Sequence, residues 1–394
     1  MTTKRRLADW IDGFMEYTNN SEPPFLYRMW TAIGAVAAAL QRKCRLEWGP
    51  LTFYPNMYIV LVGPSGCGKG TAMEPAEDFL DIIGVKTSAQ STTREALIRS
   101  LKEATHIQTT KDGKTIAHAS LTVFSKELTV FLGWNNPQLI GDLTDWYDCG
   151  NKWQHRTKTQ GTDDITGVWV NLIGATTPEL IQTALPMDAI GGGLTSRIIF
   201  VYEDTIQKSV PVPFLSEREA QIGEELAIDL GSINTLSGRF TIKKDVIEDR
   251  WIEWYAKHAK KKLSTDARFD GYAMRRRVHI LKLCMILSAS RSSEMVIEVE
   301  DFDRAVSILS KTEKNMPKTF SGVGKSPSAD VTDRVMAHIA TAGETTFAEI
   351  VAMFYRDADE WMLEKIVRTI ERMKFCKTVY TGDKVYIKYI KGEE

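Results

Sequence analysis

An excess of charge of either sign is missing from this sequence. It carries 50 Lys and Arg against 51 Asp and Glu, a formal net charge of −1. No global field draws it to nucleic acid, so any such site must be local. Cysteine is scarce: Cys44, Cys67, Cys149, Cys284 and Cys376 lie far apart and form no Cys-x-x-Cys pair. Structural zinc and a disulfide framework are therefore unsupported. Long apolar runs are lacking too. The longest candidate, Ala32 to Leu40, is short and alanine-rich, which argues against a membrane span. Lys4-Arg5-Arg6 is followed by residues too polar for a secretory signal. A soluble, intracellular protein without a membrane partner is expected. Its 394 residues, 43% hydrophobic, suffice for two or three domains with real cores.

What is present is an order of elements. Residues 5–42 look helical: Leu7, Trp10, Ile11 and Phe14 recur at helical spacing, and a second helix covers Leu26 to Leu40. Buried strands are expected at Tyr58–Val62, Leu121–Phe124, Gly167–Ala175 and Ile198–Tyr202, with a helix over 93–104. Lys111-Asp-Gly-Lys114 between threonine-rich flanks signals a hairpin. Strands alternating with helices imply an α/β fold around a mostly parallel sheet, with ligands at the strands' C-terminal ends. Beyond residue 240 the pattern turns helical. Gly, Ser and Pro make 318–330 a linker. Its Gly-Val-Gly-Lys325-Ser326 is a decoy: Thr319 stands where a nucleotide loop needs glycine, and Pro327 opposes a helix start. Residues 330–390 read as three helices and two short strands, a winged-helix pattern.

The strongest motif is Gly63-Pro64-Ser65-Gly66-Cys67-Gly68-Lys69-Gly70-Thr71 after an apolar strand. It fits a P-loop, whose backbone N–H groups cradle phosphate while Lys69 supplies positive charge. ATP with Mg2+ is the expected ligand. Gly70 stands where Ser or Thr normally meets the metal, and Thr71 is the nearest hydroxyl. Glu127 follows the buried stretch Leu121–Phe124 and is the candidate general base. Lys126 precedes it in place of an acid, so Ser125, Asp142, Asp145 or Asp148 is left to help hold magnesium. Thr177, before Pro178, is the candidate that orients water; it equally suits a helix cap. Arg197 enters a buried strand and is a candidate arginine finger.

Gly-Ala-Thr-Thr-Pro, then Leu-Thr-Ser-Arg197-Ile-Ile-Phe-Val, then Met274-Arg-Arg-Arg-Val-His-Ile-Leu-Lys-Leu, then Val-Glu-Asp-Phe-Asp-Arg-Ala-Val-Ser-Ile-Leu follow in order. This series resembles the AAA+ ATPases of the minichromosome-maintenance branch, above all their compact relatives in phages and mobile elements. The resemblance spans about residues 55–390. It implies sensor 1 at Thr177, a trans-acting finger at Arg197, and sensor 2 at Arg275, with Arg276 and Arg277 adjacent. It also implies a hexameric ring and a C-terminal winged helix. The family's zinc-bearing DNA collar has no counterpart here. The expected layout is a helical segment 1–50, an ATPase core 51–239, a helical lid 240–317, a linker 318–329 and a winged helix 330–394. The N-terminal segment is a candidate for subunit contacts.

Between Asp148 and Asp163 the sequence holds Lys152, His155, Arg156 and Lys158 with Trp153 and no acid. Such a basic hairpin suits a phosphate backbone and lies where related motors carry a pore hairpin. Lys111 and Lys114 lie near the place of the second pore insert. The winged helix mixes Arg368 and Arg372 with Glu360, Glu364 and Glu371, which fits a replication-protein partner as well as duplex DNA. The expected activity is a DNA-translocating replicative helicase, cytoplasmic in a bacterial host if phage-encoded. The alternatives are an ATP-dependent helicase loader or protein remodeller, and a nucleotide-binding switch with little turnover.

Overall fold

A computed structural model describes residues 5–88, 92–110, 113–133, 136–157, 161–185, 191–206, 208–258, 263, 266–320, 327–381 and 384–390. The chain divides into two compact units, Met1–Phe320 and Ser321–Glu394.

The first unit opens with α1 (Trp10–Tyr17) and α2 (Phe25–Leu40), then β1 (Cys44–Trp48), β2 (Leu51–Phe53) and β3 (Tyr58–Val62). It continues through α3 (Lys69–Ile82), α4 (Arg94–Glu103), β4 (Thr105–Thr109), β5 (Thr115–Ser125), α5 (Leu128–Leu132) and α6 (Pro137–Tyr147). A hairpin follows, β6 (Lys152–Thr157) and β7 (Gly161–Thr166), then β8 (Val168–Thr176), α7 (Pro178–Ala184) and β9 (Ile198–Tyr202). The rest is α8 (Glu217–Asn234), β10 (Gly238–Ile242), α9 (Ile252–His258), α10 (Asp270–Arg291), β11 (Val296–Ile297) and α11 (Val299–Asn315).

The fold is mixed α/β with parallel sheets. Five strands run in the order β4-β5-β8-β3-β9. All neighbouring pairs are parallel except β4 with β5. Strands β3 and β8 are buried along their whole length. Strand β3 reads as an unbroken apolar run, and β8 nearly so with a buried Asn171 within it, because layers cover both faces. One of those layers is α2, buried from Leu26 to Leu40. Its small residues let the sheet approach: a Cβ on Gly34 would lie 2.5 Å from Ile173 Cδ1. So α2 offers no free face for subunit contacts. Two helices form within 5–42, as expected, parted at Thr18–Pro24, and Leu7 lies before the first.

A second sheet, ordered β11-β10-β1-β2, adds to the expected elements. It joins the residues before the core to those after it: β1 pairs in parallel with β10, and β10 with β11. The helix α8 is a further addition; Ser216 and Glu219 form a full capping box at its start.

The second unit holds α12 (Pro327–Ala342), β12 (Glu344–Thr346), α13 (Phe347–Phe354), α14 (Glu360–Arg372), β13 (Cys376–Thr381) and β14 (Lys384–Tyr389). Its strands form an antiparallel sheet ordered β12-β14-β13. Val335, Ile339, Ile350, Leu363 and Ile370 anchor its own core. Helix α12 begins at Pro327 itself, since proline suits the first helical position. Pro327 therefore does not oppose a helix start, and only Thr319 in place of glycine argues against a nucleotide loop there. Lys325 and Ser326 lie outside the described residues.

Candidate functional site

Register places three loops on one edge of the sheet. Val62 pairs with Thr176 and Tyr202, and Ser125 pairs with Gly174. The chain leaves β3 into the glycine-rich loop, β8 into Thr177 and β5 into Glu127, all at C-terminal strand ends. Because β8 lies between β3 and β5, Thr177 stands between the loop and Glu127. Two interstrand steps separate β3 from β5, about 10 Å, room for a terminal phosphate and a water.

The loop itself is built on glycine. Gly66 and Gly68 have φ of +82° and +77°, the left-handed region that glycine enters without penalty. A Cβ on Gly63 would sit 2.1 Å from the Glu203 carbonyl oxygen. Tyr27 braces the loop from α2: its hydroxyl donates to the carbonyls of Val62 at 2.7 Å and Glu203 at 2.9 Å. No motif in the sequence marks Tyr27. Lys69 Nζ donates to the carbonyls of Gly63 and Pro64, each at 2.7 Å. Those are weak acceptors for an ammonium, and a phosphate offers stronger ones.

Gly70 is the second residue of α3, and a Cβ there would meet nothing within 4 Å. Thr71 is exposed on the same helix. Lys126 pairs with Glu74 at 3.2 Å and Glu77 at 3.3 Å on α3, so its charge is already neutralised. Glu127 is exposed. Ser125 Oγ is buried without a hydrogen-bond partner among the described residues. Of the acids considered for magnesium, Asp142 pairs with Arg94 at 2.6 Å. Asp148 lies at the other end of the sheet, and Asp145 is exposed on α6. The residues at hand that fit a hydrated Mg2+ on phosphate are thus Thr71, Ser125 and Glu127, since the ion keeps most of its waters. Thr177 caps α7, accepting from Leu180 N at 3.4 Å; Thr177 is half-buried.

Arg197 and Arg275 meet elsewhere. Arg197 precedes Ile198, which pairs with Tyr58 at the start of β3. Lys69 follows the far end of that strand, about 15 Å along it. Arg197 is buried. It donates to Gly193 O at 2.7 Å and closely to Asp148 Oδ2. Arg275 Nη1 reaches Asp148 Oδ1 at 3.5 Å. Its neighbours are spent: Arg276 is buried against Glu313 at 2.6 Å, and Arg277 donates to Tyr255 Oη at 3.1 Å. Beneath them burial pushes the Lys282 ammonium down to about 8 and the Cys149 thiol up to about 11.

The β6–β7 hairpin has two faces. Lys152, Gln154 and Arg156 are exposed on one; Trp153 and His155 point to the other. His155 Nε2 meets Arg94 Nη1 at 2.9 Å, and Trp153 packs edge-on against Trp146. His155 is thus tied to the body. The return strand brings acids: Gln154 donates to Asp164 at 2.5 Å, and Asp163 pairs with Lys102 at 2.8 Å. Lys158 lies outside the described residues. The other hairpin, β4–β5, does form, with Gly113 at φ +78° and Lys114 exposed at its tip. Lys111 lies outside the described residues.

Among the described residues no helix is long and apolar enough to cross a membrane, and no group of three or more His, Cys, Asp or Glu could hold a metal by itself. No family model matches the chain, and no curated protein matches it.

Proposed function

We propose that the chain is an AAA+ ATPase that assembles as a hexameric ring and moves on DNA as a replicative helicase does. One observation carries the reading: a glycine-built loop with Lys69, Thr177 and Glu127 shares one sheet edge, while Arg197 and Arg275 share the opposite edge. An arginine about 15 Å along the strand from its own loop is placed to serve a neighbour's nucleotide. The loop amides and Lys69 bind the phosphates of ATP, Glu127 takes a proton from the attacking water, and Thr177 orients that water. Mg2+, when bound, would offset phosphate charge, with Thr71 and Ser125 as candidate hydroxyls. The three helices and antiparallel sheet of the second unit are compatible with a winged helix.

The single-strand grip falls to Lys152 and Arg156, on the exposed face of the hairpin, with Lys114 at the tip of the other. A second reading, a loader or remodeller acting on a protein, draws on the second unit. There Trp361 is 70% exposed and Tyr355 61% exposed, more apolar surface than phosphate binding needs. ATP turnover with and without single-stranded DNA, together with strand displacement on a forked duplex, tests the choice. DNA-stimulated turnover with displacement is expected. Turnover indifferent to DNA with the fork intact favours the remodeller, and no turnover at all favours a nucleotide switch.

A further inference from the structure

Asp148 ends α6, at the same edge of the sheet as Arg197. Both its oxygens are taken by arginines from distant parts of the chain: Oδ2 by Arg197 and Oδ1 by Arg275. The Arg197 side chain is 8% exposed, whereas that of Asp148 is 52% exposed. Arg197 Nη1 is committed to Gly193 O, and Nε is buried without a partner among the described residues. The remaining nitrogen is the one Asp148 covers. An outside anion must therefore compete with that carboxylate for Arg197.

The surroundings are cationic. Lys282 lies two turns beyond Arg275 on α10. It donates to Asn56 O and Oδ1 at 3.1 and 2.7 Å. With Asp148, Arg275, Tyr54 and Tyr147 it lines a cleft of about 220 Å³. Arg42 donates to Cys149 O at 3.1 Å and Asn151 Oδ1 at 2.7 Å. Four cations thus surround residues 147–151. Among the described residues, Asp148 is the one carboxylate that pairs with any of them. A phosphate presents the same paired oxygens to guanidinium groups as a carboxylate does.

We propose that Asp148 is an internal counter-ion that holds the place of a phosphate group, and that it must give way before Arg197 and Arg275 engage the nucleotide of a neighbouring subunit. This rests on the ring reading for the source of the phosphate, though not for the anion chemistry. Asp148 is thus a positioning residue: it keeps both arginines paired in a lone protomer and yields them on assembly.

The test uses the full chain carrying Lys69→Ala, so that the glycine-rich loop is muted. Inorganic phosphate is the probe, and thermal unfolding the readout. Asp148→Asn keeps the shape and removes the charge. Phosphate should raise its Tm by several degrees more than it raises that of the Asp148 parent, and adding Arg275→Ala should cancel the difference. Equal shifts in parent and variant overturn the counter-ion role, even if Asp148→Asn lowers Tm in buffer. Should Asp148→Asn not fold, Asp148→Ser carries the same comparison. With Lys69 restored, Asp148→Asn should bring on ATP turnover at a several-fold lower protein concentration than the parent needs, because arginines already released favour assembly. That gain should vanish in Arg197→Ala. Unchanged turnover at low concentration overturns the link to assembly. The phosphate shift decides the counter-ion role, while wild-type hydrolysis by Arg197→Ala alone would sink the ring reading separately.

Discussion

If Lys69 and Glu127 act on one nucleotide by different means, as proposed, their losses should differ. Lys69→Ala removes the charge that offsets phosphate and should abolish ATP binding, read by fluorescent-nucleotide titration. Glu127→Gln keeps the volume and loses the base. It should bind ATP normally and stop turnover; hydrolysis at the normal rate would move the base to another acid. Two histidines make a separate prediction. Burial, chiefly, lowers His118 to about 4 and His279 to about 3 from 6.5. The unfolded chain takes those protons near 6.5, the folded chain only well below. Between pH 6.5 and 4 the unfolded state therefore binds more protons, and stability falls as pH falls; above 6.5 neither ring contributes. Each should cost roughly 2–3 kcal/mol by about pH 4.5. Urea unfolding of the wild type and of His118→Gln and His279→Gln from pH 7 to 4.5 checks this. The variants should show flatter profiles, and a wild type equally stable across that range would refute it.

At the scale of elements, α3 and the β6–β7 hairpin each carry a prediction. Gly70 faces open space at the second position of α3, so Gly70→Ser should fold at no cost. Serine is the better helix former by roughly half a kcal/mol. The new hydroxyl stands where a metal ligand is missing, so ATP turnover should saturate at lower Mg2+. An unchanged Mg2+ dependence would mean that the ion is held from Ser125 or Glu127. In the hairpin, replacing Lys152, Arg156 and Lys158 by Ala should weaken single-strand binding. It should also flatten the salt dependence by about 0.7 for each phosphate no longer neutralised. His155→Ala should cost stability instead, because that ring is tied to Arg94. Unchanged affinity in the triple variant would remove the hairpin from the DNA path. The core strands β3, β8 and β9 are legible in the sequence because they are largely apolar runs bounded by turn residues, whereas only Leu121–Phe124 of β5 is, since His118 and Ser120 interrupt the rest of that strand. The sheet of β1, β2, β10 and β11 is not, since Cys44 finds its partner only at Gly238 and no local pattern announces so distant a pairing. The start of α8 does carry a local signal, Ser216 with Glu219 three residues on, but its weakly apolar helix stands out little from the polar stretch before it. Asp148 illustrates the same limit at the site: its arginines come from 49 and 127 residues away, so sequence points to magnesium where geometry gives an ion pair.

For the whole molecule, the decisive fact is that Lys69 and Arg197 lie at opposite ends of one five-residue strand pairing, β3 with β9. A single chain cannot bring them to one phosphate without taking the sheet apart. If both serve hydrolysis, they must do so in different copies. Arg197→Ala protomers should then bind ATP through their own loop, yet turn nothing over when they are the only species present. Lys69→Ala protomers should bind no ATP and turn nothing over either. Mixed together, some interfaces join an intact loop from the first to an intact arginine from the second, and hydrolysis should reappear. An arginine finger is worth roughly three to five orders of magnitude in rate, so even a minority of repaired interfaces should stand clear of background. The rescued rate should depend on the mixing ratio and fall on dilution as the assembly dissociates. A purely structural Arg197 predicts otherwise: its ion pair with Asp148 is buried on one side, so Arg197→Ala would lose thermal stability and mixing would restore nothing. Activity that persists unchanged at high dilution would count against the trans arginine and the ring together.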